Sequence, residues 1–107
     1  MKKNTIKTFL PTLELVKSMT PSAQAAYLRK APNELIKFLS NCALNTRIGI
    51  IDLSPDIFDQ LKKYKKLVKK ISQPKISLKL RRKHISQKGT YNKIFVPLID
   101  VLINYTK

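Results

Sequence analysis

Glycine is nearly missing from this 107-residue chain, which has only Gly49 and Gly89. Small β-domains lean on glycine at their turns, so the scarcity favours helices. Cysteine occurs once, at Cys42, and histidine once, at His84. A single cysteine excludes an intrachain disulfide, and one cysteine with one histidine makes no metal set. Acids number six, Glu14, Glu34, Asp52, Asp56, Asp59 and Asp100, and show no metal-ligand spacing. No apolar stretch approaches the roughly 20 residues of a membrane span. The opening MKKNTIKTFLPTLELVKS has a basic start but neither a long apolar run nor a small-residue cleavage site. A signal peptide is not expected, and the chain reads as intracellular rather than secreted. There is no phosphate-cradling glycine loop and no nucleophile motif. The expectation is therefore a non-enzyme without catalytic residues, cofactor or metal.

What is present in excess is positive charge. Lys and Arg total 22 against those six acids, for a net charge of +16. Self-repulsion on that scale works against a small folded domain. AT-rich coding bias can inflate lysine, but it does not explain why residues 60–99 contain no Asp or Glu. Apolar residues make up 43% of the chain, enough for a modest core and too many for a disordered one. At this length the chain is one domain spanning 1–107, with residues 1–27 readable as a peripheral N-terminal extension.

The apolar spacing places the elements. A short helix is expected over Thr12–Met19, after Pro11. Thr20-Pro21 reads as an N-cap followed by Pro at the first helical position, with a helix over Ala23–Ala31. NELIKFLSNCALN repeats Leu35, Ile36, Leu39, Cys42 and Ala43 at helical spacing and should stop between Asn45 and Gly49. Ser54-Pro55-Asp56 is the clearest helix start, with Asp56 and Asp59 complementing the positive helix end. From there Ile57, Leu61, Tyr64, Val68 and Ile71 form one stripe, which predicts a single helix to about Ile71. Ser72-Gln73-Pro74 breaks it. Ser77 caps a further helix over Leu78–Lys88 that should end at Gly89. A last helix, about Asn92–Tyr105, is strongly apolar, and Pro97 must either start or kink it.

The fold expected is all-α, a compact bundle of five or six short helices with a basic helix-turn-helix-like surface. The stretch KKYKKLVKKISQPKISLKLRRKHISQKG (62–89) holds twelve Lys or Arg and no acid. Its basic residues interleave with apolar ones at helical period, so it reads as folded surface rather than a tail.

With the segments ordered this way, Leu39, Cys42, Ala43, Leu44 and Asn45, then Gly49, then Leu61, Lys63, Tyr64 and Lys65, then Ser77-Leu78-Lys79, and Gln87-Lys88-Gly89 form a longer pattern. The apolar C-terminal helix with Pro97 fits it too. Over roughly residues 28 to 102 the chain resembles a small basic protein of Maverick/Polinton-type elements and adintoviruses. One departure is Thr90, where that family usually continues a glycine pair; a less free loop is expected there. The resemblance implies a virus-like product, a virion- or genome-associated component located in the virion or the host nucleus.

The residues expected to bind nucleic acid are Lys62, Lys63, Lys65, Lys66, Lys69, Lys70, Lys75, Lys79, Arg81, Arg82, Lys83 and Lys88. Lysine and arginine hold phosphates through charge and counterion release, with little sequence information. A sharper reading sets LKLRRKHISQK into a DNA major groove, with Arg81, Arg82, His84 and Gln87 at base edges. The turn around Ser72–Ile76 is long for that motif, so sequence-blind binding of double-stranded DNA is the stronger expectation. Charge reversal at Arg81, Arg82 and Lys83 is expected to abolish binding and leave the fold intact. Cys42 reads as a buried structural thiol. The rival is a structural or minor capsid protein, or an adaptor, whose basic face docks an acidic capsid or replication protein. Membrane binding is the weaker alternative, because the basic helices lack Trp and Phe.

Overall fold

Three short hydroxyl side chains open three of the helices. Thr20 Oγ1 accepts from the Ala23 amide at 3.2 Å, Ser54 Oγ from Ile57 at 3.4 Å and Ser77 Oγ from Leu80 at 3.2 Å. Pro21 and Pro55 follow the first two, where a missing N–H leaves no bond unmade. The computed structural model describes residues 2–49 and 51–107 and shows an all-helical fold, with no strand among those residues. Its helices are α1 (Lys3–Lys17), α2 (Pro21–Lys30), α3 (Asn33–Arg47), α4 (Pro55–Lys62), α5 (Lys65–Ser72), α6 (Leu78–Ile85) and α7 (Val96–Tyr105). A π-helical turn, Tyr91–Phe95, leads into α7. Seven helices thus stand where five or six were expected.

The N-terminal residues join the core instead of lying outside it. α1 begins at Lys3, nine residues before the expected start, and runs through Pro11. A proline inside a helix costs about 3 kcal/mol. Ile6, Leu13 and Val16 are buried on one face of α1, and a buried aliphatic side chain contributes about 1.5–3 kcal/mol. That burial outweighs the proline. Phe9 adds a stack on Phe38 of α3, with ring centroids 4.5 Å apart.

α3 is a central helix, buried at Leu35, Ile36, Phe38, Leu39, Ser40, Cys42 and Ala43. It packs on α5 and α6, while α1 packs on α7. Gly49, at φ 83, closes the C-terminus of α3 in the left-handed region, as its position suggested. The Cα radius of gyration is 12.6 Å, against about 13 Å for a compact chain of this length. The basic stretch is therefore folded into the globule.

Three expectations need correction. The single helix from Pro55 to Ile71 is two helices, interrupted at Lys63 and Tyr64. Tyr64 has φ −112 and ψ 25, and its amide reaches back only three residues to Leu61. The apolar stripe continues across the break, yet α4 and α5 pack on different partners. α4 meets α7 and its leading turn, and α5 meets α3. Second, α6 stops at Ile85 with Ser86 as its C-cap, so Gly89 (φ 90) carries the later turn and not the helix end. Third, Thr90 does not stand in a loop. It is buried, adopts helical dihedrals (φ −61, ψ −43) and begins the last helical segment. Pro97 then falls in the first turn of α7 behind the π-turn, where the Val96 amide bonds Tyr91 O. The wider turn relieves the clash a proline ring makes with the carbonyl four residues earlier.

Two buried polar side chains tie the ends of the chain together. The Tyr91 hydroxyl donates to Leu13 O at 2.8 Å. Gln24 Nε2 donates to Val16 O at 3.0 Å and to Asn92 Oδ1 at 2.8 Å. Burial, then Glu14, Cys42 and Tyr27, raise the Tyr91 hydroxyl above its ordinary pKa, so it stays a neutral donor.

Candidate nucleic-acid interface

The surface is built by the end of α4, by α5, by the turn after it, and by α6. α5 turns Val68, Ile71 and Ser72 inward, with Tyr64 and Leu67 half-buried beside them. With that face fixed, a period of 3.6 leaves Lys66 and Lys70 pointing away from the core and Lys65 and Lys69 along one flank. All four are exposed. Lys62, Lys63, Lys75, Lys79, Lys83 and Lys88 are exposed as well. Lys69 and Lys70 occupy the last turn of α5, and Arg82, Lys83 and His84 that of α6, where the helix dipole favours cations.

The two arginines differ from these ten lysines. Arg82 is turned into the protein. Its Nη1 donates to Ala31 O at 2.6 Å and Leu28 O at 3.1 Å, with Arg29 O at 3.5 Å, and its Nη2 donates to Asn33 Oδ1 at 2.6 Å. These carbonyls lie at the C-terminal end of α2, where a helix has no internal donors left to offer. Arg82 therefore caps α2 and fastens α6 to the α2–α3 corner. Arg81 is half-buried too, and its Nε is enclosed without a hydrogen-bond partner. Charge reversal at Arg82 would leave the end of α2 uncapped with an acid among its carbonyls, so the expectation that such a variant keeps its fold is withdrawn. Arg82 is likewise committed away from any base edge.

His84, in the last turn of α6, is half-buried. Its pKa is held below the ordinary 6.5 by partial burial first, and then by the ammonium groups of Lys70 and Lys83. One of those lysines is on each helix, so His84 feels positive charge from both α5 and α6. Sequence order alone hides two further basic residues. Arg29, on α2, lines a shallow depression with Lys79 and Lys83 of α6. Lys93, on the π-turn, lies over the Tyr64 ring with Nζ 5.6 Å from its centroid. The acid-free span of 60–99 contained the signal for Lys93, whereas nothing local pointed to Arg29.

The remaining candidates for chemistry are quiet. Cys42 is buried, and desolvation pushes its thiol up to about 12, so it is not a thiolate nucleophile. Among the described residues, no group of three or more His, Cys, Asp or Glu side chains could hold a metal ion. Asp52 and Asp100 line a separate depression beside Ile51 and Val101. Among the described residues no helix is long and apolar enough to cross a membrane. Comparison of the chain with protein-family models, with curated proteins and with solved structures returns no match.

Proposed function

We propose that this protein binds and condenses double-stranded DNA without reading its sequence, as a virion- or genome-associated component of a virus-like element. The observation that supports this most is that α5 and α6 pack against each other, carry no acid and expose six lysines between them. Lysine ammonium groups are compact, hydrated point charges suited to a polyphosphate contacted at many places. Withdrawal of Arg82 into the fold also supports a sequence-blind mode, since bidentate arginine–guanine pairs are the commonest specific contact. The resemblance to Polinton and adintovirus proteins is what favours a particle or genome setting.

The test is a mobility shift on several unrelated duplexes across a salt series. Binding should be tight and equal among sequences. Six to ten phosphate contacts imply a loss of affinity of roughly a thousandfold or more between about 50 and 200 mM salt. A folded, helical protein that leaves duplex DNA unshifted near physiological salt would refute the reading.

A further inference from the structure

A groove lies on one flank of α5, between the end of α3 and α4, with a volume of about 440 Å³. That is within the size range of formed ligand sites. Its floor is aliphatic, made by Leu53, Leu61 and Val68. Phe58 lines it while remaining 55% exposed. Around it stand four cations from three helices: Arg47 of α3, Lys62 of α4, and Lys65 and Lys69 of α5. The combination matters more than either part. An apolar trough on a strongly charged protein is costly to leave in water, and a ring of like charges is costly to leave without counter-charge.

Three kinds of occupant can be compared by their chemistry. A nucleic-acid base carries hydrogen-bonding edges, and burying them unpaired is unfavourable. The floor offers none to meet them, and the Thr46 hydroxyl at its margin already donates to Cys42 O at 2.8 Å. A fatty acid fits the floor, but its single carboxylate answers one of four cations. An acidic peptide with a bulky apolar side chain answers both the floor and the rim. We propose that this groove docks an acidic protein segment, in which an apolar anchor enters between Phe58, Leu61 and Val68 and flanking Asp or Glu residues meet Arg47, Lys62, Lys65 and Lys69. This mode is anchor-in-groove recognition with charge complementarity at the rim. Lys62, Lys65 and Lys69 are shared with the DNA-binding surface, so peptide and duplex should compete for this rim, whereas Phe58 and Arg47 belong to the groove alone.

The test uses the intact protein and two labelled peptides of equal negative charge. One carries Leu and Phe anchors four residues apart among Glu and Asp, and in the other both anchors are Ser. Fluorescence anisotropy at about 150 mM salt should show the anchored peptide binding at least about tenfold tighter. Phe58→Ala should remove that advantage, and Arg47→Gln should weaken both peptides, with thermal melts little changed because both side chains are exposed. Equal affinity for the two peptides would overturn the proposal, as would an unaffected Phe58→Ala. Loss of oligothymidylate binding in Phe58→Ala, with peptide binding intact, would make the groove a base-stacking site and overturn it too. Duplex binding measured on the same variants keeps the two readings separable: Phe58→Ala should lose the anchored-peptide advantage and keep its duplex affinity.

Discussion

α5 and α6 are each eight residues long, lie next to each other, and come from the same basic stretch. They use their charge in opposite ways. KKLVKKIS places four lysines in water around a buried Val68–Ile71 edge. LKLRRKHI draws two arginines toward the protein and spends Arg82 on the exposed carbonyls of α2. The guanidinium fork can reach several acceptors at once and is weakly hydrated, so it tolerates partial burial, whereas an ammonium group is best left in solvent. A count of positive charge in the sequence therefore overstates what is available to a ligand. Available charge is largely lysine.

That contrast can be broken experimentally. The largest effect should come from Lys66→Glu, Lys70→Glu and Lys83→Glu combined. Duplex affinity should fall on the order of a hundredfold or more at low salt, and the salt slope should shrink by about one per lysine. The melting temperature should change little, because relief of like-charge repulsion offsets the loss of cations from the last turns of α5 and α6. Next is Arg82→Ala, which should lower stability by about 2 kcal/mol, since hydrogen bonds to a charged donor are lost. Denaturant unfolding measures this, and the fraction that remains folded should bind DNA almost as before. Arg82→Lys should recover only part of the loss, because an ammonium cannot span Leu28, Ala31 and Asn33 together.

A smaller effect is expected at His84. In the free protein its pKa lies below 6.5, so the unfolded chain takes up the proton first and stability declines as pH falls through 6.5. Bound phosphates neutralise Lys70 and Lys83 and favour the imidazolium, so DNA affinity should grow over the same interval. Binding measured between about pH 7.5 and 5.5 should show this gain, and His84→Gln should flatten it. The smallest effect is at Cys42, which should resist a thiol reagent in the native protein and react once guanidinium unfolds it.

The parts of the fold legible in the sequence are those encoded within a few residues. Thr20, Ser54 and Ser77 announce helix starts because a cap needs only its own next three residues. The core faces of α3 and α7 follow from period alone. The break at Lys63 and Tyr64 was hidden because the stripe Leu61, Tyr64, Val68, Ile71 keeps helical spacing through it. Pro11 was misleading for a different reason: its local penalty is real, but α1 gains a partner in α7, and Phe9 one in Phe38 of α3, that sequence cannot display. The candidate site divides along the same line. The exposure of the lysines was readable from the apolar stripe they flank. The role of Arg82 was not, since its acceptors lie about fifty positions earlier. The groove beside Phe58 combines residues of α3, α4 and α5 and exists only once these are packed.

α4 buries a single residue, Leu61, while α3 buries seven. Local opening is easiest where few apolar contacts must be given up. Backbone amides of α4 should therefore exchange with solvent deuterium well before those of α3, through fluctuations that leave the rest of the protein intact. Phe58 rides on that helix. The wall it forms is accordingly adjustable, able to admit anchors of different size, with selectivity resting more on the pattern of carboxylates than on a fixed shape.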